Sequence, residues 1–202
     1  MELNIPRPIA PKAAQSLLIH GGSTVVGMYS IQWAKASGLK VIATASPHNF
    51  ELLKSLGADA VFDYGSETYA EDIRTAAPGL SMVFDCFGGA GVGSALGKNP
   101  ARYVMIGPLE NKLPDNVESE FILGYDAWGE EYVFRGENKP VRKDCFDFAS
   151  DFVVFAEKMF EERVIRPVTY TVNKGGSGLE GAVQGLDLLR AGVSATKLVY
   201  TL

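Results

Sequence analysis

"LLIHGGSTVVGMYSIQWAKASGLKVIATASPHN", residues 17–49, decides the fold of this chain. An apolar run predicts a strand, glycines predict a turn, and helical spacing leads into a second apolar strand. A helix that begins directly after such a turn presents unpaired backbone N–H groups and the positive end of its dipole at one point. The stretch therefore predicts an anion site, and a pyrophosphate is the anion that fits this arrangement best.

The turn matches the dinucleotide fingerprint G-x-G-x-x-G at two of its three glycines. Residues 22–27 are Gly-Ser-Thr-Val-Val-Gly, so a threonine replaces the middle glycine. The flanking strands and helix supply the context that the fingerprint requires, although a simple tight turn is the alternative. A second cluster, "GGAGVG" at 88–93, does not have this spacing and predicts a loop. The candidate pyrophosphate residues are Gly22, Ser23, Thr24, Val25, Val26 and Gly27.

The end of the second strand indicates which nucleotide is bound. A site that selects NAD usually has an acidic residue there to accept from the ribose 2′-hydroxyl, whereas this chain has "TASPHN" at 44–49. Ser46, His48 and Asn49 can donate to a 2′-phosphate, which a carboxylate would repel. The alternative is a turn that only caps the following helix. We predict that the cofactor is NADPH.

Short apolar runs alternate with amphipathic stretches along the chain, and this alternation predicts an α/β fold. The expected architecture is a doubly wound parallel (Rossmann) sheet of about six strands with helices on both faces. Residues 1–15 resemble a linker, 16–202 form the nucleotide-binding domain, and about 108–144 is a less regular insertion. A helical apolar stripe over 149–160 is expected to lie in the core. The predicted strands are 16–20, 40–45, 60–64, 81–86, 102–107 and 197–202.

Composition excludes several classes of function. A net charge of −5 argues against nucleic-acid binding. No apolar run approaches the roughly 20 residues of a membrane span and no leader is recognisable, so we expect a cytoplasmic protein. Cys86 and Cys145 lack metal-ligand spacing, and only two histidines are present, so no metal site is expected. His20 is interpreted as structural, and no catalytic residue can be assigned.

Five segments of the sequence resemble the medium-chain dehydrogenase/reductases, and among them the zinc-independent trans-acting enoyl reductases that partner fungal polyketide synthases. These segments are "GGSTVVG" (21–27), "IQWAKASG" (31–38), "SPHNFELLKSLGADAVFDY" (46–64), "GYDAWGEEYVFRG" (124–136) and "GGSGLEGAVQGLDLLRAGVSATKLVYTL" (175–202).

This resemblance implies roles for further residues. Residues 23–30 would lie along the pyrophosphate and 46–49 would bind the 2′-phosphate. Tyr64 would stack near the adenine, Ile106 and Gly107 would flank the nicotinamide, and Val193 with Ser194 would close over the cofactor. The substrate would lie along Gly124, Tyr125, Asp126, Ala127 and Trp128.

The sequence departs from the family's pattern in three places. The family's N-terminal GroES-like domain has no counterpart here, which implies an excised domain or a naturally shortened relative. Gly192 replaces a lysine that the family usually has near the cofactor. The helix that the family has after the fourth strand is in doubt, because "FGGAGVGSALG" at 87–97 is rich in glycine.

Two functional hypotheses follow. In the first, the chain binds NADPH and reduces the double bond of a polyketide-like substrate, in association with a polyketide synthase. In the second, it has lost redox activity and binds, isomerises or cyclises a polyketide-like ligand. Carboxylates between 126 and 131 could form a solvated surface or an acid/base site, and the sequence leaves this open. An exposed apolar face could pair two chains as a homodimer.

Overall fold

The computed structural model describes residues 15–88, 91–107 and 112–202. Each apolar run near the start of the chain becomes a strand, and the amphipathic stretches between them become helices. The strands of the main sheet are β1 (Ser16–His20), β2 (Lys40–Ala45), β3 (Ala60–Asp63), β4 (Met82–Asp85), β5 (Ala101–Met105) and β6 (Val117–Phe121). The helices between them are α1 (Val25–Ala36), α2 (Phe50–Ser55) and α3 (Tyr69–Ala76), with short 3₁₀ helices at Pro47–Asn49 and Val92–Ala95.

The six strands are parallel and lie in the order β3-β2-β1-β4-β5-β6. Successive residues of a strand point to opposite faces. Leu18 packs with Ile73 of α3 on one face, whereas Ile19 packs with Ile31 of α1 and Leu53 of α2 on the other. The predicted doubly wound fold is therefore confirmed. Strand order reverses between β1 and β4, and a crevice opens at the carboxyl ends of the strands at such a point.

The rest of the chain adds smaller elements outside the main sheet. A 3₁₀ helix at Gly124–Trp128 follows β6, and β7 (Tyr132–Phe134) pairs with β8 (Glu137–Lys139) as an antiparallel hairpin. The long helix α4 (Lys143–Glu161) comes next. The chain then forms β9 (Tyr170–Val172), α5 (Gly178–Ala191) and β10 (Lys197–Val199), and β9 and β10 pair in parallel.

Two predictions about these elements were wrong. The run at 197–202 does not join the main sheet, because Lys197–Val199 pairs with β9, and the sixth strand is β6. The sequence pattern missed β6 because "VESEF" is polar, as an edge strand can be. The apolar stripe over 149–160, which lies in α4, is not in the core either. Phe152 packs on Trp33, but Val153 is 65% exposed.

Other predictions fall partly outside the described residues. The linker-like segment 1–15 is described only at Gln15, and the insertion at about 108–144 only from Lys112 onward, where it contains β6, β7 and β8. The loop predicted at 88–93 is not described at positions 89 and 90. After β4, the described residues hold a short 3₁₀ helix at Val92–Ala95. No helix among the described residues is long and apolar enough to span a membrane.

Candidate functional site

The glycine turn between β1 and α1 is built by close backbone packing. Gly21 has φ +74°, and a β-carbon on it would lie 2.7 Å from the Phe87 β-carbon. A β-carbon on Gly27 would lie 2.8 Å from the Gly22 α-carbon and closer still to the Gly21 carbonyl oxygen. The first turn of α1 therefore rests directly on the turn, which is the packing that the third glycine of the fingerprint permits.

Thr24, at the position of the middle glycine, caps α1. Its hydroxyl donates to the Gly21 carbonyl and accepts from the Gly27 N–H, both at 2.9 Å, and its own N–H donates to Gly21 as well. Both hydrogen-bond donors of Thr24, its hydroxyl and its N–H, are therefore used within the turn. In the part of the chain that the structure describes, the N–H groups of Ser23, Val25 and Val26 have no acceptor. These neighbours of Thr24 are the donors that an anion at the helix N-terminus would meet.

A polar cluster follows β2 at the same edge of the sheet. The Ser46 hydroxyl lies 2.9 Å from the Tyr64 hydroxyl at the end of β3. The Asn49 side-chain amide donates to Ser194 Oγ at 2.9 Å, and His48 Nε2 lies 3.0 Å from the same oxygen. The structure therefore brings Ser46 to Tyr64, and brings His48 and Asn49 to Ser194. Ser194 is far from His48 and Asn49 in sequence, and the family resemblance implied only that it would close over the cofactor.

A cavity of about 290 Å³ connects the glycine turn to the C-terminal segment. Ser23, Thr24 and Val25 line one side of it, and Val193 and Lys197 line the other. Gly192 contributes no cation and faces open space. Lys197 forms no ion pair with any residue that the structure describes. Nothing in the sequence pattern pointed to Lys197, which the structure places at this cavity.

The loop after β4 is held by a buried carboxylate. Asp85 is 1% exposed, and one of its oxygens accepts from the N–H groups of Phe87 and Gly88 at 3.0 and 2.7 Å. The other accepts from the Tyr103 hydroxyl at 2.6 Å. Burial is the main cause that raises the pKa of Tyr103, and the hydrogen bond to Asp85 adds to it. The phenol therefore stays protonated and donates this hydrogen bond. The Phe87 ring is left 68% exposed beside the glycine turn.

The candidate nicotinamide and substrate segments lie at the same edge of the sheet. Gly107 packs close to the Phe87 carbonyl oxygen, which a β-carbon at 107 would approach to 3.3 Å. The Ile122 N–H donates to the Met105 carbonyl at 2.9 Å, so the chain leaving β6 runs beside Ile106 before it forms the helix at Gly124–Trp128.

The segment Gly124–Trp128 carries exposed aromatic rings. Tyr125 lies 4.8 Å from Trp128 and 5.5 Å from Tyr132 between ring centroids. Asp126 accepts from the Tyr132 hydroxyl at 2.5 Å, and Arg142 lies 4.0 Å from its other oxygen. Burial and the hydrogen bond to Asp126 raise the pKa of Tyr132 to about 12. The carboxylate is thus engaged with a phenol and a guanidinium, and the apolar rings remain free to contact a ligand.

The remaining titratable groups near the site are structural. His20 is buried with its Nδ1 atom 2.7 Å from Thr44 Oγ1, and burial lowers its pKa. Burial raises the pKa of the Cys86 thiol to about 12, so this cysteine is an unreactive core residue. Among the described residues, no group of three or more His, Cys, Asp or Glu side chains could hold a metal ion.

Comparison with known proteins relates the chain to a family of dehydrogenases. The family model described as zinc-binding dehydrogenase matches residues 25–123. The trans-enoyl reductase ACTTS2 of Alternaria alternata is 39% identical over 98% of this chain and 58% of its own length. The trans-enoyl reductase RAP1 of Pyricularia oryzae is 34% identical over 99% of this chain and 58% of its own length. The chain therefore spans less than two thirds of these curated relatives.

A solved structure shares the fold. The mycobacterial protein Rv1454c, crystallised in complex with NADPH, superposes with a TM-score of 0.68 at 19% identity, over 93% of this chain and 56% of that one. At this identity, the likeness concerns the fold alone. The sequence relatives show that the chain is homologous over nearly its whole length to fungal trans-enoyl reductases, and the family model assigns residues 25–123 to the zinc-binding dehydrogenases.

Proposed function

We propose that this chain binds NADPH in the crevice where the strand order reverses, as the nucleotide-binding part of an enoyl reductase. One observation carries the proposal: three N–H groups without an acceptor in the described chain, those of Ser23, Val25 and Val26, lie at the N-terminus of α1. Such groups bind phosphate oxygens through hydrogen bonds and the helix dipole. Lys197, across the same cavity, adds a positive charge.

The polar cluster after β2 supports NADPH over NADH. Ser46, His48, Asn49 and Ser194 bring hydroxyl, imidazole and amide groups together, and no carboxylate lies between β2 and α2. Ser194 Oγ accepts from Asn49, so its own hydrogen is available to a phosphate oxygen or to His48. A 2′-phosphate can accept several hydrogen bonds from these groups, whereas a ribose 2′-hydroxyl can use fewer of them.

The proposed substrate is a polyketide-like enoyl thioester, delivered by a polyketide synthase. When bound, the nicotinamide would supply a hydride to the β-carbon of the double bond, and a proton from solvent would complete the reduction at the α-carbon. Ile106 and Gly107 would orient the nicotinamide, and the aromatic segment Gly124–Trp128, which follows β6 at the same edge, would hold the acyl chain. The contribution of the protein is orientation and exclusion of water. Pairing of two chains as a homodimer stays a prediction.

Titration calorimetry with NADPH and NADH tests the nucleotide proposal. The unmodified chain should bind NADPH more tightly. Ser46→Asp should weaken NADPH binding by about fivefold or more, because two like charges about 4 Å apart repel by roughly 1 kcal/mol even in bulk water. The same substitution should weaken NADH binding much less, because NADH has no 2′-phosphate. Ser150→Asp, on the exposed surface of α4, is the matched control and should change neither affinity.

Equal affinities for the two nucleotides would contradict the role of Ser46, His48 and Asn49. Absence of binding by both would contradict the whole proposal. The substrate is tested separately, by following NADPH absorbance with an enoyl thioester and by analysing the products with and without nucleotide. Conversion of the thioester without any NADPH consumption would favour the non-redox alternative.

A further inference from the structure

Phe87 occupies the centre of the candidate crevice. Its β-carbon lies above Gly21, where a side chain would approach it to 2.7 Å, and its carbonyl oxygen lies beside Gly107. The glycine turn is the candidate site of the pyrophosphate, and Gly107 is on the candidate nicotinamide side. A dinucleotide that runs from one to the other therefore has to pass the Phe87 ring.

The ring is exposed although its backbone is fixed. Asp85, which is buried, accepts the N–H groups of Phe87 and Gly88, and Tyr103 completes the network from β5. The Phe87 side chain is nevertheless 68% exposed, whereas hydrophobic side chains of the neighbouring strands are buried. A fixed backbone that leaves an apolar ring exposed at the crevice is suited to cover an apolar part of a ligand.

Phe87 is also one of three rings in a row along the strand ends. His20 makes edge contacts with both Tyr64 and Phe87, with ring centroids 6.5 and 6.3 Å apart. His20 is buried, so Tyr64 and Phe87 are the two exposed members, one at each end. Tyr64 lies beside the polar cluster after β2, which is the candidate adenosine side. Phe87 lies toward the opposite end of the nucleotide.

We propose that the Phe87 ring contacts the nicotinamide riboside half of the bound nucleotide and makes affinity depend on that half. This inference rests on the proposed function. The Asp85 network positions the ring, and the absence of a β-carbon at Gly21 gives it room. The contact is apolar and covers a face of the nicotinamide or its ribose, which increases the affinity for the complete dinucleotide over fragments that lack this half.

The test compares NADPH with adenosine 2′,5′-bisphosphate, which has the adenine and the 2′-phosphate but lacks the nicotinamide riboside. Both are titrated calorimetrically into the unmodified chain, Phe87→Ala and Phe87→Tyr. Phe87→Ala should weaken NADPH binding about fivefold or more, as loss of an aromatic face against a nucleotide typically does, and leave the bisphosphate unchanged. Phe87→Tyr, which keeps the ring, should retain most of the affinity for NADPH.

Phe148→Ala is the matched control, because this ring is 71% exposed on α4. It should alter neither affinity. A second readout is the fluorescence of bound NADPH, which reports the surroundings of the nicotinamide and should differ between the unmodified chain and Phe87→Ala.

Three results would overturn the inference while leaving the proposed function intact: equal NADPH affinity for Phe87→Ala and the unmodified chain, tighter NADPH binding by the variant, or equal weakening of both ligands. Equal weakening of both ligands would indicate that Phe87 has a structural role. Failure of the unmodified chain to bind either ligand would instead refute the proposed function, and with it the basis of this inference.

Discussion

Substitution of Gly27 by alanine should damage the glycine turn. The added methyl group would lie 2.8 Å from the Gly22 α-carbon and 2.9 Å from its carbonyl carbon, and the Gly21 carbonyl oxygen would be closer still. All three are backbone atoms, so no side chain can rotate away. The first turn of α1 would have to move outward by several tenths of an ångström or more.

The cost follows from the packing. Overpacking a rigid site typically destabilises a protein by about 1–3 kcal/mol. The upper part of this range applies, because the contacts are with backbone. For a domain of this size, each kcal/mol lowers the melting temperature by roughly 2–4 °C. We expect Gly27→Ala to lower it by about 5–12 °C in thermal unfolding followed by circular dichroism. NADPH affinity should fall as well, since the free N–H groups of Val25 and Val26 move with the helix.

Gly79→Ala is the matched control. A β-carbon at Gly79 would have no heavy atom within 4 Å, and its backbone does not have a positive φ. This variant should melt within about 2 °C of the unmodified chain, because exposed substitutions usually change stability by less than about 0.5 kcal/mol. If Gly27→Ala melted like Gly79→Ala and bound NADPH normally, the contact between the helix and the glycine turn would not be the constraint described here.

Three further predictions concern charge and metal. Burial of Asp59 is outweighed by its hydrogen bonds with Lys35 and the Val41 N–H, which lower the pKa of this carboxyl in the folded protein. The carboxylate therefore stabilises the fold above its ordinary pKa of 3.8. This stabilisation is lost as pH falls through the lower pKa of the folded state. Thermal unfolding at pH 7 and pH 3 should therefore show a destabilisation by Asp59→Asn that shrinks at the acidic pH, and a constant difference would contradict this. Lys197→Met should weaken NADPH binding about fivefold at low salt and reduce its salt dependence, whereas Lys98→Met should do neither. Elemental analysis should find no stoichiometric zinc, and one zinc per chain would refute the prediction from cysteine and histidine spacing.

The sequence predicts the first half of the fold well because local signals and tertiary packing agree there. The apolar runs at 16–20 and 40–45 have the same bounds as β1 and β2, and each is buried on both faces. Such strands are recognisable as continuous apolar stretches. Gly57, with φ +113°, follows α2 at the kind of position where a glycine commonly ends a helix.

The second half was predicted less well because its elements are exposed. β6 is polar at three central positions, so no apolar pattern marks it, while the apolar run at 197–202 pairs with β9 instead of the main sheet. Phe87 was overlooked for a related reason. An aromatic residue at the end of an apolar strand resembles a continuation of the core, and only its exposure reveals that it faces the crevice.

Thr24 stands where the dinucleotide fingerprint has its middle glycine. The middle glycine is usually explained by the close approach of backbone to pyrophosphate. Here a threonine stands in that place, and its side chain turns back to cap α1 through Gly21 and Gly27. The cap uses the donors of Thr24 itself but leaves the N–H groups of its neighbours Ser23, Val25 and Val26 without an acceptor in the described chain. In the proposed site, these free donors bind the anion, so a turn that retains them can lose the middle glycine, whereas a β-carbon at Gly27 would collide with the backbone of Gly21 and Gly22.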